Sequence, residues 1–178
     1  MQVTIEPMRE ADLDDVMRIE HESYPTPWRR ETFRREITEN RGSCYLVAKA
    51  HQPDGVWNVG YAGMWLVADE LHITTIAVDP AYRGLKIGER LLLALLRRGT
   101  EAGAARATLE VRQSNLVAQR LYRKYHFDAV GMRRGYYTDT AENAIIMWIE
   151  DLHDPGLQRF LRERERQLEG RQIAVAGN

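Results

Sequence analysis

The stretch VDPAYRGLKIGERL, which occupies residues 78–91, runs from the end of a strand pattern through a loop with arginine and glycine into a helical pattern. Loop backbone N–H groups and the positive end of a helix dipole converge in such a unit, so it can bind an anion. The stretch matches neither the G-x-x-x-x-G-K-[ST] loop of nucleoside-triphosphate sites nor the G-x-G-x-x-G loop of dinucleotide sites. A glycine turn that only connects strand and helix is the alternative.

The segments nearest this loop alternate between strand and helix periods. ELHITTIAV, at residues 70–78, is β-branched and apolar on both faces, which predicts a central strand. ATLEVR, at residues 107–112, predicts a second strand, and SNLVAQRLYRKY, at residues 114–125, predicts a helix that Ser114 or Asn115 caps. Alternation of this kind indicates an α/β or α+β layer fold.

The outer segments extend the pattern in both directions. Before the loop we expect a strand near residues 3–5, two helices separated by YPTPW, and a hairpin that ends at Val67. After residue 125, DAVGMRR and AIIMWIE predict a closing hairpin. Residues 153–178 are charged on nearly all sides, so we expect a solvated or frayed helix and a tail there. The predicted domain is therefore residues 1–152.

Composition excludes several classes of function. The net charge is −1 and the pI is about 6.5, so the chain lacks the basic field that dominates binding to nucleic acid. No apolar run approaches the about 18 residues of a membrane helix. The N-terminus lacks a signal-peptide pattern, and the single cysteine, Cys44, is expected to be buried packing. These features predict a cytoplasmic protein with no membrane or nucleic-acid partner.

The hexapeptide RGLKIG, at residues 83–88, resembles the [QR]-x-x-G-x-[GA] pyrophosphate loop of the GNAT acetyltransferase superfamily. The resemblance implies acetyl-CoA as cosubstrate, with no metal. It also implies a GNAT fold, which is a central mixed, mostly antiparallel twisted sheet of about seven strands flanked by helices, with strands 4 and 5 splayed. The implied cofactor-binding residues are Ile76, Ala77, Val78, Arg83, Gly84, Leu85, Lys86, Ile87, Gly88, Glu89, Asn115 and Tyr122.

Two residues stand where the family pattern has glycine. If the position of Lys86 needs a left-handed backbone, the lysine costs about 1 to 2 kcal/mol, which is roughly tenfold in affinity. If close approach to the cofactor is the reason for glycine, the Cβ of Lys86 would instead collide with it. His126 replaces glycine in LYRKYHF, and a left-handed helix end is the favoured interpretation over a catalytic role.

A carboxylate between apolar neighbours, Glu110, lies in the predicted strand ATLEVR. Strand alternation alone could place it with Thr108 and Arg112 on a solvated face. Residues 115–122, however, carry N-x-x-A-x-x-L-Y, a spacing that resembles the GNAT pattern. The resemblance implies that Glu110 is the base that deprotonates the attacking amine through water, and that Tyr122 is the acid that protonates the departing thiolate.

Three further segments indicate the acceptor. YPTPW and RRGYYTDTAENAIIM resemble segments of the RimI-type ribosomal-protein-alanine N-acetyltransferases, and HITTIAV is similar to a strand of other protein N-terminal acetyltransferases. The likeness extends over residues 1 to about 150. It implies that Tyr24, Trp28, Tyr136 and Tyr137 bind the first residues of a protein chain, although cross-strand packing and loop anchoring are the alternatives.

The sequence thus predicts acetyl transfer from acetyl-CoA to the α-amino group of a protein, an Ala-initiated small-subunit ribosomal protein in particular. We expect a monomer or weak homodimer. Two other functions stay open at this point. One is acetylation of a small amine or a lysine side chain, and the other is a CoA-binding scaffold or regulatory subunit with weak catalysis.

Overall fold

The computed structural model describes residues 1–169, which form one open sheet with helices on both of its faces. The strands are β1 (Gln2–Pro7), β2 (Ser43–Gln52), β3 (Gly55–Val67), β4 (Glu70–Val78), β5 (Arg106–Arg112), β6 (Asp128–Tyr137) and β7 (Glu142–Ile149). The helices are α1 (Leu13–Ser23), α2 (Arg30–Thr38), α3 (Ile87–Glu101), α4 (Leu116–Lys124) and α5 (Pro155–Glu169).

The seven strands lie in the order β1-β2-β3-β4-β5-β7-β6, and each neighbouring pair except one is antiparallel. The exception is β4 with β5, which are parallel and pair only between Glu70–His72 and Arg106–Thr108. Beyond His72 the two strands separate, although β4 continues to Val78 and β5 to Arg112. The predicted mixed, mostly antiparallel sheet with strands 4 and 5 splayed is therefore confirmed.

A β-bulge lies where β4 leaves β5. Gly63 of β3 pairs with Thr75, but the next residue, Met64, pairs with Ile73, so Thr74 is an extra residue in β4. Such an insertion bends the strand that carries it and increases its twist. Opposite the bulge the ring of Tyr45 covers Gly63 so closely that a Cβ there would lie 2.2 Å from a ring carbon. The bulge and this glycine together account for the local bend that opens the sheet.

The alternation of side chains along β2 divides the core between the two faces of the sheet. Leu46 and Ala48 belong to the larger apolar cluster, which includes the buried stripe of α3. Tyr45 and Val47 belong to the smaller one, where α1 and α2 pack with Phe33 at the centre. The predicted layer fold, a sheet flanked by helices, thus has a core on each side of the sheet.

The C-terminal helix α5 packs onto the larger cluster through Leu157, Leu161 and Leu168, all of which are buried. Phe160 adds ring contacts with Tyr125 and His126, with centroids 5.4 and 4.9 Å apart. The prediction of a solvated or frayed helix is wrong for residues 155–169, because the sparse apolar stripe lies entirely on the face that meets the core. The predicted tail at residues 170–178 lies outside the described residues, and a domain limit at residue 152 stays a prediction.

The two ends of α4 test two predictions, one about its N-cap and one about the backbone of His126. Asn115, not Ser114, caps α4, since its Oδ1 accepts the Ala118 N–H at 3.1 Å. His126, just after α4, has a φ of 66°, which confirms the prediction of a left-handed helix end. Among the helices in residues 1–169, none is both long enough and apolar enough to cross a membrane.

Candidate active site

The loop between β4 and α3 has two left-handed residues. Gly84 has a φ of 78°, and Lys86, the N-cap of α3, has φ 66° and ψ 15°. The position of Lys86 therefore requires the backbone that glycine adopts without cost, and the estimate of about 1 to 2 kcal/mol of strain applies to it. Its side chain is about half exposed, and Nζ lies 3.9 Å from Oε2 of Glu89.

A cavity of about 700 Å³ opens beside this loop, between the end of β4, the first turn of α3 and the face of α4. It is bordered by every predicted cofactor-binding residue except Leu85, which packs against the larger apolar cluster instead. The cationic side chains on its wall are those of Arg83, Lys86, Arg120 and Lys124. A cavity with apolar residues and four cations on its wall fits CoA, in which a pyrophosphate joins a phosphorylated adenosine to a pantetheine arm.

Glu89 borders this cavity but is itself almost fully buried. Its Oε1 accepts hydrogen bonds from Lys124 at 2.6 Å, Tyr125 at 3.0 Å and Arg164 at 2.6 Å. Burial by itself would raise the pKa of the Glu89 carboxyl, but the hydrogen bonds from Lys124 and Arg164 outweigh it and hold the pKa below its ordinary value. Glu89 is therefore a charged group of α3 that is neutralised by partners from α4 and α5.

A second pocket, of about 320 Å³, occupies the gap between β4 and β5. It borders the first cavity, and the two have in common Tyr24, Ile76, Asn115, Ala118 and Tyr122. The shared residues lie where the two strands diverge. The two cavities therefore adjoin at the point where β4 and β5 separate.

Glu110 extends from β5 into this gap. Its side chain is 28% exposed, and Oε1 lies 3.5 Å from a guanidinium nitrogen of Arg133 on β6. The alternative of an open solvated face does not hold for β5, because Thr108 is buried and Arg112 borders the same pocket as Glu110. The carboxylate is consequently accessible from the pocket but sheltered by neighbouring strands.

Tyr122 on α4 borders both cavities. Burial, with Tyr24 and Tyr137 nearby, raises the pKa of the Tyr122 phenol well above its ordinary value. The phenol is therefore protonated at neutral pH. Glu110 and Tyr122, which come from different elements, face the same gap.

The end of α1 and the YPTPW segment form one wall of the gap. The Tyr24 hydroxyl donates to the Ile76 carbonyl oxygen at 3.1 Å and lies 3.1 Å from Thr75 Oγ1. Trp28 also borders the pocket, and its backbone N–H donates to Oε1 of Glu20 at 2.8 Å. These contacts bring Tyr24 and Trp28 to the place where the acceptor was expected.

Glu20 is the site residue that the sequence interpretation missed. It is buried, borders the gap and accepts a hydrogen bond from the Tyr61 hydroxyl as well as from the Trp28 N–H. Burial raises the pKa of its carboxyl above the ordinary value. The signal was present in the helical period, since position 20 continues the apolar stripe of Leu13 and Val16.

The β6–β7 hairpin supplies the opposite wall, but with only one of its two tyrosines. Tyr137 borders the pocket, and the centre of its ring lies 4.0 Å from the guanidinium carbon of Arg112. A guanidinium nitrogen of the same arginine lies 2.7 Å from Oδ2 of Asp139. Tyr136 does not border the pocket; it is 46% exposed and packs edge-on against Tyr137. Arg112 thus attaches the hairpin to the end of β5.

A splayed parallel strand pair that separates a cationic groove from a pocket with a carboxylate and a phenol defines an acyl-CoA-dependent N-acyltransferase. The model of the Acetyltransferase (GNAT) family matches residues 13–127, and the chain belongs to this family. It is an acetyl-CoA-dependent N-acetyltransferase. The fold prediction and the GNAT resemblance are both confirmed.

Two similar proteins are named for acetylation of a ribosomal-protein alanine, and a third has a similar fold. A Bacillus subtilis protein, named provisionally as a ribosomal protein bS18-alanine N-acetyltransferase, is 43% identical over 142 residues, which are 80% of this chain and 91% of that protein. The crystal structure of the ribosomal-protein-S18-alanine N-acetyltransferase from Escherichia coli superposes with a TM-score of 0.72 at 32% identity, covering 83% of this chain and 93% of that one. Arabidopsis thaliana NAA60 in complex with acetyl-CoA has a similar fold, with a TM-score of 0.73 at 16% identity over 83% of this chain and 98% of that one.

Proposed function

We propose that this protein transfers the acetyl group of acetyl-CoA to the α-amino group of the N-terminal alanine of ribosomal protein bS18. The names of the relatives support this acceptor, because the similarity covers 91% and 93% of the lengths of those two proteins. The observation that carries the proposal is that the two cavities meet where β4 and β5 separate, and that Glu110 and Tyr122 border the smaller one. We place the reaction in the cytoplasm, with the enzyme as a monomer or weak homodimer.

The cofactor side holds its ligand by charge and by backbone amides. The first turn of α3 and the loop at Gly84 and Lys86 present N–H groups to a pyrophosphate, and Arg83 and Lys124 add side-chain charge. Ile76 and Ala118 border both cavities, where a pantetheine arm would reach the gap. Acetyl-CoA supplies an acetyl group activated as a thioester, so no covalent intermediate on the protein is required.

Glu110 acts as the general base in this proposal. An α-ammonium group has a reference pKa of about 7.7 to 8.0, so a carboxylate that acts through one water can supply the neutral amine near pH 7. The partial exposure of Glu110 at the gap suits a water-mediated proton transfer. The nearby cation is Arg133, whose guanidinium nitrogen lies 3.5 Å from Oε1 of Glu110.

Tyr122 acts as the general acid. Its raised pKa keeps the proton on the phenol until a thiolate begins to form, and a thiol has a reference pKa of about 8.5. Protonation of the sulfur as the C–S bond breaks lets CoA depart as the free thiol. The acetyl carbonyl oxygen gains negative charge as the amine attacks, and the β5-facing backbone edge of β4 beyond His72 supplies N–H donors for it.

The walls of the gap favour a peptide over a small amine. Tyr24 and Trp28 border the pocket from the end of α1 and the segment after it, and Tyr137 borders it from the β6–β7 hairpin. Aromatic walls with polar edges bind an extended chain by packing and backbone hydrogen bonds. Tyr136, which is exposed beside Tyr137, would meet residues of the acceptor beyond the first few.

The test is turnover of purified protein with acetyl-CoA and peptides that begin with the bS18 N-terminus, followed by mass spectrometry of the product. We expect acetylation at the α-amino group of alanine, with a KM that falls as the peptide lengthens from one residue to about six. Equal rates with a single amino-acid amide would favour the small-amine alternative, and lysine-acetylated product would favour the side-chain alternative. CoA binding without any product would favour the scaffold alternative.

A further inference from the structure

Glu89 presents an electrostatic problem within the proposed cofactor site. Its carboxylate is almost fully buried in the first turn of α3, three residues after Lys86, on the wall of the cavity that is to receive a pyrophosphate. A negative side chain at a helix N-terminus is favourable for the helix, but it repels an anion bound at the same amides. The site therefore depends on how completely the charge of Glu89 is compensated.

The cations that compensate Glu89 are of two kinds. Lys86 and Lys124 also border the cavity, so they are the cations that a phosphate would use. Arg164 does not border it; it reaches Oε1 of Glu89 from α5, through Nε at 3.1 Å and a terminal nitrogen at 2.6 Å. Arg164 is thus the partner of Glu89 that neutralises the carboxylate without being a ligand of the cofactor.

The contacts of α5 hold Arg164 in place. Leu161 and Leu168, on either side of it in sequence, are buried in the main core. Arg97 on α3 pairs with Glu165, and Arg90 donates to the Leu168 carbonyl oxygen. The helix is therefore fixed along α3, and the side chain of Arg164, 19% exposed, is directed toward Glu89.

We propose that Arg164 is a positioning residue for the CoA site, and this inference rests on the proposed cofactor site. By adding its positive charge beside Glu89, Arg164 offsets the repulsion between this carboxylate and a bound phosphate, so that the charges of Lys86 and Lys124 are not needed for Glu89 alone. Helix α5, which the sequence predicted to be solvated, thereby contributes to cofactor binding. Arg164 lies outside residues 13–127, which the family model matches.

The experiment measures the Kd of CoA by calorimetry for the full chain and its variants. Removing the charge in Arg164→Gln leaves a buried carboxylate short of one partner, and we expect the Kd to rise about tenfold. The Kd of Arg164→Lys should lie within about threefold of the parent value, because the positive charge is kept. The Kd of the double variant Glu89→Gln with Arg164→Gln should also lie within about threefold, because the negative and the positive charge are removed together. Arg166→Gln is the matched control, since the side chain of Arg166 is 74% exposed and its ion pair within residues 1–169 is with Glu163, three residues before it in α5.

A second readout separates this role from general support of the fold. In Arg164→Gln the KM for acetyl-CoA should rise about tenfold with kcat nearly unchanged, whereas kcat/KM for S-acetylpantetheine, which has no phosphate, should not move. An unchanged Kd in Arg164→Gln overturns the inference. Equal losses with both acetyl donors, or a double variant no better than Arg164→Gln, would also overturn it. If the parent chain itself does not bind CoA, the proposed cofactor site fails together with the inference.

Discussion

The two cavities on either side of the splayed strands are built in different ways. The cofactor cavity draws most of its wall from one continuous segment, residues 76–89, and its charged side chains are mainly cationic. The acceptor pocket collects residues from α1, β4, β5, α4 and the β6–β7 hairpin, and its polar groups are carboxylates, hydroxyls and one guanidinium. The first is a local motif that binds an anion, and the second is a tertiary assembly that controls protons and shape. Substitutions should therefore separate cofactor affinity from chemistry.

Glu110→Gln is expected to separate the rate of the chemical step from the affinity for acetyl-CoA by the largest factor. Loss of the base should lower kcat by roughly 10² to 10⁴, while the Kd of acetyl-CoA changes by less than about threefold. Single-turnover kinetics and calorimetry on the same preparation measure the two quantities. Glu150→Gln, at an exposed carboxylate beyond β7, is the matched control and should leave both unchanged. An unaltered rate in Glu110→Gln would remove Glu110 from the role of base.

Tyr122→Phe should have the next largest effect, because this residue belongs to both cavities. The ring stays and only the proton donor is lost, so we expect kcat to fall about 10²-fold with little change in the Kd of acetyl-CoA. The rate with a donor whose thiol has a lower pKa should fall less, since its thiolate needs no protonation. An equal loss with both donors would argue against Tyr122 as the acid.

Tyr137→Ala tests the acceptor side by itself. Removing an aromatic wall should raise the KM for the peptide about tenfold, as expected for loss of one anchoring ring, and leave the KM for acetyl-CoA unaffected. Tyr137→Phe keeps the ring over Arg112 and should stay within about twofold of the parent protein. A rise in the acetyl-CoA KM of the alanine variant would show that the two sides are coupled.

The smallest effect is expected from Lys86→Gly, on the cofactor side. Relief of about 1 to 2 kcal/mol of left-handed strain is offset by loss of a positive charge, so the Kd of acetyl-CoA should change less than about tenfold. His126→Gly is the matched control, because it relieves the same backbone strain at a site that borders neither cavity. A gain above about a hundredfold, more than 2.7 kcal/mol, would mean that the native loop limits binding.

The sequence predictions were more accurate for local motifs than for contacts between distant segments. The strand–loop–helix unit and the left-handed backbone at His126 depend on neighbours within a few residues, and the sequence predicted them. It limited the cap of α4 to Ser114 or Asn115 and gave a left-handed backbone at Lys86 as one of two alternatives. Glu20 was missed because its partners, Tyr61 and the Trp28 N–H, belong to other elements. The packing of α5 was mispredicted because three buried leucines are a weak signal until the surface of α3 is known.

The sequence by itself determined the class of this protein, since the anion loop, the family spacings and the alternation of strands and helices are local patterns set by backbone geometry. The tertiary structure decided which side chains share a space. Glu110 with Tyr122, Tyr137 without Tyr136, and Arg164 against Glu89 each depend on a bulge, a hairpin attachment or a helix crossing. Such contacts join residues far apart in the chain, and their geometry follows from how whole elements pack rather than from the preferences of any one segment.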